Sequence, residues 1–147
     1  MISPRRAGIH TLGIVLLAAA AGCGSEPAPR PDLGMPRNTA QVSIDGRDTG
    51  KQYVVSCRKQ QWQLSIDTVG QDAGFTAMLD SDSDLNAEMV KIRDLGGFTG
   101  SAWRGGVGDV QAHRDAGILT INGTGYGYFG DKWTHPTNAE FTIEAAC

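Results

Sequence analysis

From residue 41 to residue 147, apolar and polar side chains alternate along the chain with a period of two. Such alternation is typical of β-strands that bury one face and expose the other. No stretch in this region has the spacing of an amphipathic helix. The pattern predicts an all-β domain, either an antiparallel sandwich or a partly open barrel. The clearest inward sets are Trp62, Leu64 and Ile66; Phe75, Ala77 and Leu79; and Phe141, Ile143, Ala145 and Cys147.

Turn signals separate the predicted strands. An Asp45-Gly46 pair follows the first alternating segment, and the residues Asp115-Ala116-Gly117 divide a later one into a hairpin. Residues 84–93, with the sequence DLNAEMVKIR, are ambiguous. They fit either one short helix or a further strand.

The first 22 residues have the pattern of an export signal. Arg5 and Arg6 precede a dense apolar run, Leu12–Ala21, which is shorter than the roughly 20 residues of a membrane-spanning helix. Small residues then lead directly into Cys23, and the segment Ala20-Ala21-Gly22-Cys23 resembles the lipobox of bacterial lipoproteins. That resemblance implies cleavage before Cys23 and attachment of palmitate-type acyl chains to it. The alternatives are an uncleaved anchor helix and a secreted protein with an incidental cysteine.

Residues 23–40 are predicted to carry the lipidated cysteine and a tether. This segment contains four prolines and only two large apolar residues, as expected for an extended linker. Without residues 1–22, the chain has 11 Lys and Arg against 16 Asp and Glu. This acidic balance argues against nucleic acid as a partner and against membrane adhesion by charge alone. Residues 41–147 are long enough for one domain with a single core.

Two cysteines remain once Cys23 is assigned to the anchor. Cys57 and Cys147 are each in phase with the apolar face of a predicted strand. An exported protein lies in an oxidising compartment, where a disulfide is the default state of such a pair. We therefore expect a disulfide between two core-facing cysteines.

Several segments occur in an order that resembles a known family: VSIDGRD, VVSC, FTAML, LTINGTGYG and FTIEAAC, after a lipobox and a tether. The order is similar to that in the LpqH-type lipoprotein antigens of mycobacteria, and the resemblance covers the whole mature domain. It implies a surface-exposed antigen of the cell envelope, on the extracytoplasmic face of the membrane. It also implies a β-rich domain closed by the Cys57–Cys147 disulfide, and an acylated N-terminus of the kind that host lipopeptide receptors sense.

The segment GYGYFGDKW is the most promising binding candidate. Tyr126, Tyr128, Phe129 and Trp133 lie close together in the sequence among glycines. Aromatic side chains on such a segment can form a rim for a lipid or a sugar. The alternative is that Tyr126 and Tyr128 flank a strand while Trp133 caps the core.

The acidic segment DSDSD is the sharpest metal candidate. Asp80, Asp82 and Asp84 alternate like the first ligands of an EF-hand loop. However, Leu85 and Lys91 occupy the positions where that loop requires Gly and a bidentate Glu. We therefore expect a solvated acidic turn, no metal and no cofactor; the alternative is a weak calcium site at these three carboxylates.

No catalytic constellation is visible in the sequence. His113 lies beside a turn, His135 precedes a proline, and no G-x-S-x-G motif occurs. The leading expectation is a non-catalytic, lipid-anchored envelope protein that exposes a β-domain for binding or antigenic display. The alternative is a carrier of acyl lipids or glycolipids, which would need a large apolar cavity. A hydrolase would need a histidine close to a serine or cysteine.

Overall fold

The structure is a computed structural model that describes residues 34–70 and 72–147. Within these ranges the chain forms β-strands and no helix, which confirms the all-β prediction, and the ambiguous residues 84–93 lie mostly in a strand. The strands are β1 (Thr39–Ile44), β2 (Arg47–Gln60), β3 (Gln63–Thr68), β4 (Gly74–Asp80), β5 (Asn86–Leu95), β6 (Phe98–Trp103), β7 (Asp109–Asp115), β8 (Ile118–Phe129) and β9 (Thr137–Ala146).

The strands form one antiparallel sheet that closes on itself. Hydrogen-bonded neighbours follow the order β6-β5-β4-β3-β2-β1-β9-β8-β7, and a further pairing joins β6 to β8. Eight strands therefore make a closed barrel, while β7 is an extra strand along the first part of β8. Of the two predicted architectures the structure has the barrel, and the barrel is closed rather than partly open.

Glycines make the closure possible where β8 changes partner. Gly123 pairs with β7, and Gly127 pairs with β6. A Cβ atom at Gly123 would collide with the carbonyl oxygen of Asp109, and one at Gly127 with that of Thr99. The segment LTINGTGYG therefore lets two backbones approach β8 more closely than any side chain would permit.

Inward-pointing side chains fill the barrel. Burial of each large aliphatic or aromatic side chain contributes roughly 1.5–3 kcal/mol, so this interior supplies the main stabilisation of the fold. The largest fully buried side chains are Phe75, Phe98, Ile66, Leu79, Ile92, Leu95, Leu119, Ile121, Ile143, Val42 and Val90.

The prediction that Trp62 points inward with Leu64 and Ile66 is wrong. Leu64 and Ile66 are buried, but the Trp62 residue is 57% exposed. Gln61 has a positive φ of 55°, and Gln61 and Trp62 form the tight turn between β2 and β3. The alternation therefore begins only at Gln63, after the turn.

A disulfide joins β2 to the end of the chain. Cys57 and Cys147 are bonded, with their Cα atoms 5.9 Å apart and 90 positions apart in sequence. The expected pairing is confirmed, but only Cys57 packs against the core. Cys147 lies one residue beyond the end of β9 and is exposed, so the expectation of two core-facing cysteines on strands is wrong for this residue.

The disulfide lies where β1 begins. Thr39 is the first residue of β1 and pairs with both Val54 and Ala146. Just before it, the backbone nitrogen of Asn38 donates to Ala146 and its carbonyl accepts from Val55. Since β2 continues to Gln60 without β1 beside it, the disulfide connects β2 and the C-terminal residue across this gap.

The two ends of the barrel are therefore different. We call the end that holds Asn38 and the disulfide the tether end; the β2–β3, β4–β5 and β7–β8 connections lie there. The opposite, free end holds the β1–β2, β3–β4, β5–β6 and β8–β9 connections. Its β1–β2 turn has positive φ at both Asp45 and Gly46, as a two-residue hairpin turn requires.

Candidate functional site

The strand geometry separates the four aromatic residues of the predicted rim. Tyr126 and Tyr128 point outward from β8, whereas Phe129 packs against the core, with its ring centroid 5.2 Å from that of Phe98. Trp133 lies in the β8–β9 connection and is 72% exposed, so it does not cap the core. These residues therefore do not form one rim around one cavity.

The outward side chains of neighbouring strands form a different apolar surface. Tyr126 pairs with Ser101, and Trp103 lies two residues along β6, in the position diagonal to Tyr126. Trp103 in turn pairs with Met89, and Met89 pairs with Met78. Cross-strand and diagonal neighbours lie within reach of large side chains. This surface therefore crosses four strands.

Val107 extends this surface in the β6–β7 connection. Its carbonyl oxygen accepts a hydrogen bond of 2.7 Å from the backbone nitrogen of Trp103. The exposed fractions are 53% for Trp103, 48% for Tyr126 and 46% for Val107. We call this surface the side-wall patch; it consists of Met78, Met89, Trp103, Val107 and Tyr126.

The position of Trp103 in this patch was not predicted from the sequence. The signal was present, because Phe98 and Ala102 are apolar, Gly100 lies between them, and the alternation places Trp103 on the opposite face. The register that brings β6 beside β8 could not be predicted, because that pairing joins residues far apart in the chain.

Two cations lie beside the side-wall patch. Lys91 pairs with Ser101 on the outward face, and Arg93 follows two residues later on β5. The Arg93 guanidinium donates hydrogen bonds to the hydroxyls of Thr76 and Thr68. In the described part of the chain neither cation forms an ion pair; the ion pairs found there join Arg58 to Asp67 and Arg104 to Glu88.

A cavity with a volume of about 500 Å³ opens at the tether end. Its lining includes the disulfide, the apolar side chains of Leu64 and Leu85, and the charged side chains of Lys59 and Arg114. None of the four aromatic residues of the predicted rim lines it. The barrel interior beyond this mouth is occupied by the core side chains.

The acidic segment forms the β4–β5 connection at the tether end. The backbone nitrogen of Asp82 donates to the carboxylate of Asp80, while Asp82 and Asp84 are exposed and Asp84 contributes to the cavity wall. Among residues 34–70 and 72–147, no three His, Cys, Asp or Glu side chains converge in a way that could hold a metal ion.

Two histidines, His113 and His135, lie within the described residues; both are exposed, and they lie at opposite ends of the barrel. His113 is near the end of β7, and His135 lies in the β8–β9 connection, where its Nδ1 is 3.0 Å from the Thr134 hydroxyl. The structure therefore does not bring the two histidines together.

The predicted lipidation residue, Cys23, lies outside the described residues, as do residues 1–22 and most of the predicted tether. Across the described ranges, no helix is both long and apolar enough to span a bilayer.

Comparison with known proteins gives one family. Residues 34–147 match the Mycobacterium 19 kDa lipoprotein antigen family. The match covers the whole β-barrel and the few residues that precede β1.

Individual relatives agree with this match. A protein of Mycobacterium avium subsp. hominissuis, provisionally named a lipoprotein, is 35% identical over 111 residues, which cover 75% of this chain and 76% of the relative. The "Probable lipoprotein LppE" of Mycobacterium tuberculosis is 30% identical over 137 residues, which cover 92% of this chain and 93% of the relative.

Proposed function

Because the chain belongs to the Mycobacterium 19 kDa lipoprotein antigen family, we propose that it is a non-catalytic envelope lipoprotein that exposes its β-barrel for binding or antigenic display. Cys23 carries the acyl chains, and the chain from Cys23 to Asn38 links them to the barrel. The domain lies on the extracytoplasmic face of the membrane.

The observation that carries this proposal is the position of Asn38. This residue is hydrogen-bonded to both β2 and β9 at the tether end, and the disulfide lies beside it. The point where the chain leaves the barrel is therefore held firmly by two strands and a covalent bond. A domain linked to a membrane at this point keeps its free end available for contacts.

A single acyl chain holds a protein to a bilayer only marginally, whereas two or three chains give stable attachment. The segment before Cys23 resembles a lipobox, and this resemblance supports attachment by two or three acyl chains. We further propose that the acylated N-terminus, rather than the barrel, is the part that a host lipopeptide receptor recognises.

The filled interior supports a display role over a lipid-carrier role. A carrier encloses most of its ligand in an apolar cavity, whereas the cavity at the tether end is open and has charged residues in its lining. Native mass spectrometry of the protein secreted without its anchor separates the two roles. A clean protein mass supports display, and a bound lipid mass supports the carrier.

The anchor is tested by detergent phase partitioning of the protein produced in a mycobacterial host. We expect the unaltered chain in the detergent phase and the Cys23→Ser variant in the aqueous phase or in unprocessed form. A Ser25→Ala variant is the matched control and stays with the detergent. Equal partitioning of the Cys23→Ser variant and the unaltered chain would contradict the anchor.

A further inference from the structure

We infer that the side-wall patch, together with Lys91 and Arg93, makes a second contact with an anionic lipid surface. The inference rests on the proposed function, since it takes this surface to be the bilayer that holds Cys23. The barrel then lies with one side against the membrane instead of standing away from it.

The first support is the apolar character of the patch. Soluble domains expose single apolar side chains without consequence, but a contiguous exposed group of large ones marks a contact surface. Here Trp103, Tyr126 and Val107 are each about half exposed; Met89 is paired with Trp103, and Met78 is paired with Met89 on the next strand. Trp and Tyr favour the membrane interface because an apolar ring carries a polar N–H or O–H group.

The second support is charge. Lys91 and Arg93 lie on β5 next to Met89, and no carboxylate in the described ranges forms an ion pair with either; on the same strand Glu88 is paired with Arg104, and Asp94 lies beyond Arg93 near the β5–β6 turn. On the other side of the patch, Glu140 faces outward from β9. An anionic surface therefore attracts Lys91 and Arg93 and repels Glu140. This asymmetry orients the barrel with Trp103 toward the lipid and Glu140 toward water.

The third support is shape. The patch lies on the outer wall of a closed barrel, and none of its residues lines the cavities at and near the tether end. A small sugar or a single acyl chain binds best in a concave site that covers most of its surface. A bilayer interface needs no such site, because lipid headgroups adapt to a convex wall.

The length of the predicted tether permits this contact. The 15 residue-to-residue steps from Cys23 to Asn38 span at most about 50 Å when fully extended. A chain of that reach allows the barrel to turn its side wall onto the bilayer while its tether end stays attached.

The test uses the lipidated full-length protein in vesicles of phosphatidylcholine and phosphatidylglycerol. In a Trp62→Phe/Trp133→Phe variant, Trp103 is the single tryptophan and reports on the patch. We expect lipids with brominated acyl chains to quench its fluorescence and the bilayer to shield it from aqueous acrylamide. The matched control, Trp62→Phe/Trp103→Phe, leaves only Trp133 and shows the opposite behaviour.

The charge contribution has a separate test. A cation near an anionic membrane strengthens partitioning about fivefold. We therefore expect Lys91→Gln to lower the ratio of docked to undocked barrel by about that factor on these vesicles, but not on phosphatidylcholine alone. Lys132→Gln, near Trp133 at the free end, is the matched control and leaves the ratio unchanged.

Two results would overturn the inference. One is equal quenching of Trp103 and Trp133 by acrylamide. The other is protection of Trp103 from both quenchers that disappears on dilution, which would show that a second copy of the chain covers the patch. If the proposed function is wrong and the protein carries no acyl chains, none of the variants floats with the vesicles after a high-salt wash. That result differs from both results above.

Discussion

The two ends of the barrel are closed by different means. At the tether end β1 begins only at Thr39, and the Cys57–Cys147 disulfide connects the strands on either side of it. Toward the free end β6 and β8 meet without any covalent bond, and Gly127 lets the strands approach. The disulfide acts mainly on the unfolded chain by restricting it. The glycine acts only in the folded state, by leaving room for a backbone.

The largest effect is expected at the tether end. In the chain-entropy model, a disulfide that closes a loop of about 90 residues contributes on the order of 4 kcal/mol. We expect the Cys57→Ala/Cys147→Ala variant to lose about that much free energy of unfolding in urea titrations. Cys23→Ser is the control, with unchanged stability. A loss below about 1 kcal/mol would mean that backbone hydrogen bonds alone hold this end.

The closure between β6 and β8 gives the next effect. A methyl group at Gly127 meets the backbone of Thr99 and Gly100, so the strands must separate. Overpacking of this kind costs about 1–3 kcal/mol, and we expect Gly127→Ala to fall at the upper end of that range. Gly106→Ala is the matched control, because the nearest atom to its Cβ is 3.6 Å away. Equal unfolding midpoints for the two variants would contradict the proposed role of Gly127.

A smaller effect is expected at the β1–β2 turn of the free end. The Asp45 carboxylate accepts a hydrogen bond of 2.9 Å from the backbone nitrogen of Glu140, and Asp45 has a φ of 48°. Asp45→Ala loses the hydrogen bond and tolerates this φ poorly, so we expect a loss of about 1 kcal/mol. Asp45→Asn retains a side-chain hydrogen-bond acceptor, and asparagine tolerates a positive φ. If both variants lose the same stability, the turn does not depend on that side chain.

The smallest effect is expected at Trp133, also at the free end. Because this residue is 72% exposed, Trp133→Ala should change the free energy of unfolding by less than about 0.5 kcal/mol. Phe129→Ala is the matched comparison. Phe129 is four positions away but packs against the core beside Phe98. A large loss for Trp133→Ala would show that the β8–β9 connection supports the barrel.

Local patterns in the sequence predict much of the fold. The alternation around Phe75 and around Phe141 gives two strands with their buried faces, and Asp45-Gly46 gives a hairpin turn. These features depend on residues that are close in sequence. Trp62 shows the limit, because its place in the alternation says nothing about whether the chain turns there.

Neither the closure of the barrel nor the side-wall patch could be predicted from the sequence. Both depend on the register of β6 against β8, which pairs Ser101 with Tyr126, and no local pattern specifies that pairing. The predicted rim failed to assemble for a related reason. Phe129 and Tyr128 are adjacent in sequence, but neighbouring residues of a strand point to opposite faces.

The central claim is that this barrel is linked to lipid through Cys23. The most direct measurement is intact-mass and peptide mass spectrometry of the protein extracted from the membranes of a mycobacterial host. We predict a chain that begins at Cys23, carries two or three acyl chains on that residue, and retains the Cys57–Cys147 disulfide. A mature chain that begins at another residue, or an unmodified Cys23, would contradict the account.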